Sequence, residues 1–224
     1  MILAIETSTD VCSVALHHHG QLMGHLESRE AYSHAEKLAP MIADLLAGAG
    51  ITTKDLTAVA VSAGPGSYTG LRIGTSTAKG LCYAQDIPLI AINTLASMLE
   101  SVAFEDENHL LCPMIDARRM EVYCLLASRD KVIAPTHALV VDESAFSQYL
   151  PGHKITFFGN GAMKCRNTIT HAHAEFIGGI VPSAIHIGQR AAIKYQRGDF
   201  ADLVYFEPEY LKPFVAIKAK NPLS

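Results

Sequence analysis

The sequence predicts an α/β fold in which mixed sheets are flanked by helices, and three observations point to it. The chain opens with three short apolar segments separated by polar turns, which is typical of an antiparallel meander. Helical and buried-strand patterns then alternate, as they do where crossover helices join parallel strands. After an acidic break at residues 105–108, a second series of strands begins. We therefore expect two lobes, residues 1–105 and a smaller, less regular lobe of residues 106–224.

Composition limits the classes of partner. The 224 residues carry a formal net charge of −4 and have a pI near 6.2, without a Lys- or Arg-rich run. A chain that binds nucleic acid by itself usually carries a basic patch, so we expect tRNA contact only through a complex. Hydrophobic residues make up 49% of the chain and charged residues 18%, against about 25% charged residues in ordinary domains. This balance favours a surface that a partner covers.

The sequence also predicts a cytoplasmic protein without a membrane anchor. No run reaches the roughly eighteen apolar residues of a membrane helix. Glu6 and the lack of basic residues at the start argue against a leader peptide. The five cysteines are scattered without a C-x-x-C pair, which is typical of buried thiols in a reducing compartment.

Taken in order, the first lobe is expected to be β-β-β-α-β-α-β-α. The strands are expected at residues 2–5, 11–16, 21–27, 58–61 and 88–92. The helices are expected at residues 33–47, 71–84 and 93–104. A hairpin turn lies at residues 17–20 and a glycine turn at residues 64–70. Ser33 and Glu36 match a capping box at the first helix, which Pro40 should kink. Three antiparallel strands leading into parallel ones are the order of a ribonuclease-H-like half of the actin-like ATPase (ASKHA) fold.

The glycine turn joins a buried strand to a helix N-terminus, an arrangement that favours anions. Its spacing does not match a dinucleotide fingerprint, a P-loop or a nucleophile elbow, so a turn without a ligand is an equal alternative. We expect a structural turn first, with Ser67 as a turn or cap residue, and a weak phosphate site second. The candidate phosphate-binding residues are Thr7, Ser8, Gly64, Gly66, Ser67 and Arg72.

The helix after this turn is rich in glycine, and each helical glycine costs about 1 kcal/mol against alanine. Small residues four apart let another backbone approach closely, so we expect another helix, of this chain or of a partner, to pack there. The first helix carries more apolar positions than one core stripe uses. The predicted docking face comprises Ala35, Leu38, Ala39, Met41, Ile42, Gly70, Leu71, Gly74, Thr75 and Ala78.

The second lobe is expected to contain strands at residues 110–115, 121–127 and 155–158, a mixed segment at 131–141, helices at 144–149 and 183–196, and an extended tail at 207–213. Its histidines do not predict a metal site. His171 and His173, with Glu175 nearby, have no obvious further ligand. In the first lobe, residues 17–19 are three histidines at a hairpin tip, where adjacent side chains point to opposite faces.

Five segments occur in a fixed order along nearly the whole chain. They are Ile-Glu-Thr-Ser at residues 5–8, Ser-His-Ala-Glu-Lys-Leu at 33–38, Ala-Gly-Pro-Gly-Ser-Tyr-Thr-Gly-Leu-Arg-Ile-Gly at 63–74, Asp-Ala-Arg-Arg-Met-Glu-Val-Tyr at 116–123 and Glu-Tyr-Leu at 209–211. Together they resemble the bacterial TsaB (YeaZ) family, which takes part in making the threonylcarbamoyladenosine of tRNA. The resemblance implies two ribonuclease-H-like lobes in an actin-like fold.

The resemblance also implies a non-catalytic scaffold. In that family the N-terminal lobe pairs with the catalytic paralogue TsaD, which transfers threonylcarbamoyl to adenosine 37 of tRNAs that read ANN codons. A small ATPase, TsaE, joins the complex. We therefore expect a homodimer when the chain is alone, no cofactor in this chain, and ATP or ADP and a metal in the partner subunits.

One segment separates this chain from the catalytic paralogue. In TsaD, Asn-His-Leu-Glu-Gly-His follows the strand after the glycine helix, and its two histidines bind the active-site metal. Here residues 93–98 are Asn-Thr-Leu-Ala-Ser-Met, so Thr94 and Met98 stand at the histidine positions. Threonine and methionine do not replace two imidazoles as metal ligands, and we expect no catalytic or metal-binding residue.

Two enzymatic alternatives stay open: a metal-dependent peptidase and a phosphotransferase of the same superfamily. A peptidase needs a metal set or an activated nucleophile, and Ser67 has no evident base partner. A kinase needs phosphate loops in both lobes. Residues 7–9 could form the first, but the second lobe has no matching glycine-rich segment.

Overall fold

The computed structural model describes residues 1–30 and 33–212. Within them the strands are β1 Ile2–Glu6, β2 Cys12–His18, β3 Gln21–Ser28, β4 Ala58–Gly64, β5 Leu89–Asn93, β6 His109–Asp116, β7 Glu121–Ala127, β8 Val132–Val140, β9 Lys154–Phe158 and β10 Ala174–Ile177. The α-helices are α1 His34–Gly48, α2 Tyr68–Gln85, α3 Thr94–Met98 and α4 Ala184–Gln196, and short 3₁₀ helices form at Thr53–Asp55, Leu99–Ser101 and Met163–Cys165. No helix in the described ranges is both long and apolar enough to cross a membrane.

The strands form two five-stranded mixed sheets with the same topology. Sheet A has the order β3-β2-β1-β4-β5, in which β1, β2 and β3 are antiparallel and β1, β4 and β5 are parallel. Sheet B repeats this as β8-β7-β6-β9-β10, with β6, β7 and β8 antiparallel and β6, β9 and β10 parallel. Two ribonuclease-H-like sheets of this kind form the actin-like fold, which confirms the predicted fold class.

Helices cover both faces of sheet A. Strand residues such as Leu3 and Ile5 face α1 and α2, whereas their neighbours face α4. The α4 face is lined by small residues, Ala4, Ala15 and Ala60, so this helix lies close to the strands. Its first amide, that of Ala184, donates to Ser13 Oγ at 2.9 Å.

Helix α4 and residue Ala201, which pairs with Leu89 of β5, therefore pack on sheet A although they follow residue 105 in sequence. The helix at residues 183–196 was predicted, but the sequence did not indicate the sheet on which it packs. The division into lobes at residues 105 and 106 stays a prediction.

Several predicted local features differ. Ser33 makes no capping hydrogen bond, and its hydroxyl donates to Glu30 O at 2.6 Å, so the capping box is wrong. Residues 144–149 form turns, and α3 is shorter than expected, ending at Met98. Strand β10 was not predicted. The predicted tail has no regular structure over residues 207–210, and Pro213 lies outside the described residues.

Candidate functional site

The turns that follow β1, β4 and β6 converge with the N-terminus of α2 on a cleft of about 540 Å³ between the two sheets. Ser67 caps α2, since its hydroxyl accepts the amide of Gly70 at 3.2 Å. Its own amide donates to Ser8 O at 2.6 Å and joins the β1–β2 turn to the helix. The candidate phosphate-binding residues Ser8, Gly66 and Ser67 line this cleft.

The other candidate phosphate residues have structural contacts. Thr7 is buried and its hydroxyl donates to Gly70 O at 2.8 Å. Gly64 adopts a φ of +108°, and a Cβ there would lie 2.6 Å from Glu209 O. Both residues therefore hold the turn together, which supports the structural role that we expected first.

Arg72 packs against aromatic side chains at the start of α2. Its guanidinium lies 4.1 Å from the ring centroid of Tyr68, and the Tyr68 and Tyr210 rings are 4.7 Å apart. A hydrogen bond to Tyr210 raises the pKa of the Arg72 guanidinium. Arg72 is not among the residues that line the cleft, and its role at the helix N-terminus stays a prediction.

Charges of both signs line the cleft. Asp10, Asp116 and Glu209 contribute carboxylates, and Arg118 and Lys212 contribute cations. Lys212 forms an ion pair with Glu121, and Asp116 forms one with Lys164. This mixed lining favours at most weak anion binding.

Glu6 lies behind this turn, and burial raises the pKa of its carboxyl group. One carboxylate oxygen accepts the amide of Ser8 at 2.5 Å. The side chain is fully buried and is not part of the cleft lining, so we assign it to the interior of the turn.

A C-terminal strap, residues 207–212, crosses the cleft from lobe to lobe. At its first end the amide of Glu209 donates to Ala63 O at 2.7 Å. At its second end Lys212 Nζ contacts the Glu121 carboxylate and donates to Ala117 O at 3.4 Å. The strap therefore contacts segments next to both sheets, through Glu209 at one end and Lys212 at the other.

Thr94 and Met98 lie in the interior at the end of β5. Thr94 is fully buried, and Met98 packs with Leu95, Ile115 and Phe158 in an apolar cluster. A Cβ at Gly159 would lie 2.9 Å from Met98 Cε. The space around the methionine is therefore filled with hydrocarbon.

Both His171 and His173 form hydrogen bonds with backbone groups. The ring centroids of His171 and His173 are 5.1 Å apart. The Glu175 carboxylate instead accepts a hydrogen bond from Thr156 and forms an ion pair with Lys154. Within residues 1–30 and 33–212, no group of three or more His, Cys, Asp or Glu side chains could hold a metal ion.

The α2 residues of the predicted docking face do not form a groove that a partner can reach. Gly70, Leu71, Gly74, Thr75 and Ala78 are buried inside the chain. A Cβ at Gly70 or Gly74 would lie less than 3.0 Å from atoms of Thr7. The glycines thus allow α2 to approach the chain's own β1–β2 turn, and a partner helix has no access to them.

The predicted face of α1 is divided between core and surface. Leu38 and Ile42 belong to the core of sheet A and Met41 is half-buried, whereas Ala35 and Ala39 are exposed. The exposed residues of α1 and α2 include the charged residues Glu36, Asp44 and Arg72. Between them lie exposed small residues: Ala35, Ala39, Ala43 and Ala47 of α1 and Ser76 and Gly80 of α2.

Sequence reasoning missed one part of the cleft. The turn at residues 117–120 occupies in sheet B the place that residues 7–11 occupy in sheet A. It contains no glycine, and Arg118 and Arg119 adopt φ values of +70° and +49°. Because a search for glycine-rich loops cannot find it, only the repeated topology identifies this segment as the counterpart of the first turn.

The family model described as tRNA N6-adenosine threonylcarbamoyltransferase, TsaD, matches residues 28–213. A tRNA threonylcarbamoyladenosine biosynthesis protein TsaB of Haemophilus influenzae is 29% identical, over 97% of this chain and 95% of that protein. The TsaB protein of Escherichia coli is 39% identical over 58% of this chain. That match spans 56% of the Escherichia coli protein.

The solved structure of YeaZ from Pseudomonas aeruginosa is similar to the whole described architecture. It superposes with a TM-score of 0.77 at 28% identity and covers 94% of this chain and 99% of its own.

Proposed function

Because this chain belongs to the TsaD family and, within it, to the TsaB (YeaZ) proteins, we propose that it is a non-catalytic subunit that supports the catalytic paralogue TsaD. The chain takes part in the biosynthesis of threonylcarbamoyladenosine in tRNA. In the proposed complex, TsaD transfers threonylcarbamoyl to adenosine 37 of tRNAs that read ANN codons, and this chain stabilises TsaD without contributing a reacting group.

The observation that carries this proposal is the packing at residues 94–98. Met98 is enclosed by Leu95, Ile115 and Phe158 where the paralogue has a metal-binding histidine. An ion there would lose its hydration shell without gaining a suitable ligand, which is strongly unfavourable. This packing supports a subunit without a metal centre.

The docking surface we propose is the solvent-facing side of α1 and α2. Small exposed side chains, such as Ala39 and Gly80, let a second pair of helices approach closely. Two such lobes can form a four-helix contact around a two-fold or pseudo-two-fold axis. The same surface would make the homodimer when the chain is alone and the heterodimer when TsaD is present.

The remaining roles are assigned to the partners. We propose that ATP or ADP and a metal belong to TsaD and the ATPase TsaE, that tRNA is held through the complex, and that the complex is cytoplasmic. The β6–β7 turn and the Lys212–Glu121 ion pair occupy the side of the cleft opposite α2, which supports a chain that needs no nucleotide of its own. Submicromolar ATP binding by the isolated chain, measured by calorimetry, would contradict this.

The test is reconstitution. Purified TsaD, TsaE and this chain should form threonylcarbamoyladenosine in the presence of the activated threonylcarbamoyl donor and tRNA, and omission of this chain should abolish most of the product. The T94A/M98A double variant, checked for folding, should support the same rate as wild type because neither residue touches a reacting atom. A loss of activity with a folded double variant would contradict the proposal that these two positions contribute nothing to the reaction.

A further inference from the structure

Three large apolar side chains stand out from the surface beside α2. Tyr83 is 84% exposed, Val204 74% and Tyr205 82%, which makes them the most exposed large hydrophobic side chains of the described residues. Tyr83 lies in the last turns of α2, and the other two lie in a turn after α4. We call these three residues the aromatic patch.

The turn that carries Val204 and Tyr205 is held in one conformation. Asp202 Oδ1 accepts the amides of Val204 at 2.8 Å and Tyr205 at 3.0 Å, and the amide of Phe206 donates to Asp202 O at 2.9 Å. Leu203 and Phe206 pack against the core of sheet A. The backbone that presents the two exposed side chains is therefore ordered before any partner arrives, which reduces the entropy lost on binding.

A lysine ties this turn to α2. Lys79 Nζ donates to Val204 O and to Phe206 O, each at 3.1 Å. Tyr83 follows Lys79 by one helical turn and so lies on the same flank of the helix. The patch is therefore continuous with the exposed side of α2 that carries Ser76 and Gly80.

The exposed stripes of α1 and α2 are not enough for a specific complex. Their alanine, serine and glycine residues allow close approach but bury little area. A stable interface buries about 800 Å² on each partner, and a few large side chains, often tyrosine, dominate its energy. The aromatic patch supplies the large, rigid, exposed side chains that the two helices lack.

We propose that the aromatic patch, Tyr83, Val204 and Tyr205, extends the α1–α2 docking surface and supplies its dominant binding energy toward the catalytic paralogue. This inference rests on the proposed function, because it assigns the patch to the same partner. The partner surface that it fits is an apolar depression flanked by helices, into which two tyrosine rings and an aliphatic side chain can insert.

The experiment measures the affinity of the full chain for purified TsaD by calorimetry. The variants Y83A, V204A and Y205A should each raise the dissociation constant by about tenfold or more. A tenfold change corresponds to a loss of about 1.4 kcal/mol of binding free energy. V140A, which removes a side chain that is 66% exposed on β8, is the matched control and should stay within about twofold of wild type. Thermal unfolding should confirm that all four variants fold, since each changed side chain faces solvent.

A second variant tests the rigid presentation. D202A keeps all three patch side chains but removes the acceptor of the Val204 and Tyr205 amides, so it should also weaken binding, mainly through a less favourable entropy.

If the patch variants bind TsaD as tightly as wild type does while A39R abolishes binding, the patch proposal is overturned and the proposed function stands. If wild type and A39R both bind equally well, the docking surface lies elsewhere, and if wild type does not bind TsaD, the proposed function itself fails. Loss of self-association without loss of TsaD binding would assign the patch to a second copy instead and overturn our proposal.

Discussion

At the scale of single residues, the contacts of Thr7 explain why α2 tolerates several glycines. Its hydroxyl donates to Gly70 O at 2.8 Å, and atoms of the same threonine would overlap a Cβ at Gly70 or Gly74. The cost of glycine in a helix is about 1 kcal/mol. The hydrogen bond and the close packing of helix on turn offset it.

Substitutions at two glycines of α2 should therefore have opposite effects. Gly74→Ala should lower the free energy of unfolding by about 1–3 kcal/mol, because the new methyl group overpacks the interior. Gly80→Ala should raise it by about 0.5–1 kcal/mol, since a Cβ at Gly80 meets no heavy atom within 4 Å. Urea unfolding measures both, and equal effects at the two positions would contradict the close contact with Thr7.

His17 should make the free energy of unfolding depend on pH. The ring lies against Gly188 of α4, and neither ring nitrogen has a hydrogen-bond partner among the described residues. Burial, and then the nearby His186, lower its pKa from the usual 6.5. The unfolded chain therefore binds more protons below about pH 6.5, and the folded state loses stability as the pH falls through that window.

His17→Leu should flatten this dependence. One buried imidazole contributes at most about 1.4 kcal/mol per pH unit between its folded pKa and the unfolded value. Glu6 acts in the opposite direction, because its pKa is raised, so the difference between variant and wild type isolates the histidine. Unfolding free energies at pH 8, 6.5 and 5.5 measure it. An identical pH slope in both proteins would show that His17 does not titrate.

At the scale of elements, sequence predicted what is local and missed what depends on distant segments. The continuous apolar runs of β1, β4 and β5 identify buried strands because no other element buries both faces at that length. The four-residue spacing of Gly70 and Gly74 correctly predicted close backbone approach, but spacing alone does not say which backbone approaches. Helix α4 shows the same limit, since its sequence predicts a helix but not the sheet on which it packs.

The second lobe was harder to predict because its patterns are weaker. Strand β10 contains only four residues, with half-buried and exposed positions at the edge of sheet B, so it lacks a clear apolar alternation. The turns at residues 144–149 follow Asp142, whose carboxylate accepts the amide of Ser144 at 2.9 Å. This Asx-type contact competes with a helix start, and composition does not distinguish the two.

The C-terminal strap should couple the lobes across the cleft. Lys212→Ala removes its contact with Glu121 while leaving the Glu209–Ala63 hydrogen bond in place. Because the ion pair is partly exposed, its loss should cost at most about 1 kcal/mol of local stability. This corresponds to hydrogen exchange that is up to about fivefold faster at the Glu209 amide and at residues 117–121. Lys54→Ala changes an exposed lysine far from the strap and should leave both segments unchanged. Exchange confined to the immediate neighbours of Lys212 would contradict coupling.

At the scale of the whole molecule, the repeated sheet topology explains why one cleft and one helical layer dominate the surface. The carboxyl ends of the central parallel strands in both sheets point to the cleft, where ligands of α/β proteins usually bind. Here that edge carries the strap and paired charges, whereas the α1–α2 layer of sheet A stays exposed. The molecule therefore presents a surface suited to protein contact more clearly than a pocket suited to a substrate.

This distinction predicts how the isolated chain associates. If two copies meet through the small side chains of α1 and α2, sedimentation should show a dimer that hardly changes between 0.1 and 1 M salt, because apolar contacts are not screened. Ala39→Arg puts a charged, bulky side chain at the centre of that face and should give a folded monomer. Added TsaD should displace the wild-type homodimer, since both partners would use the same surface. A dimer that dissociates in high salt, or that survives Ala39→Arg, would show that the two copies meet through a different surface.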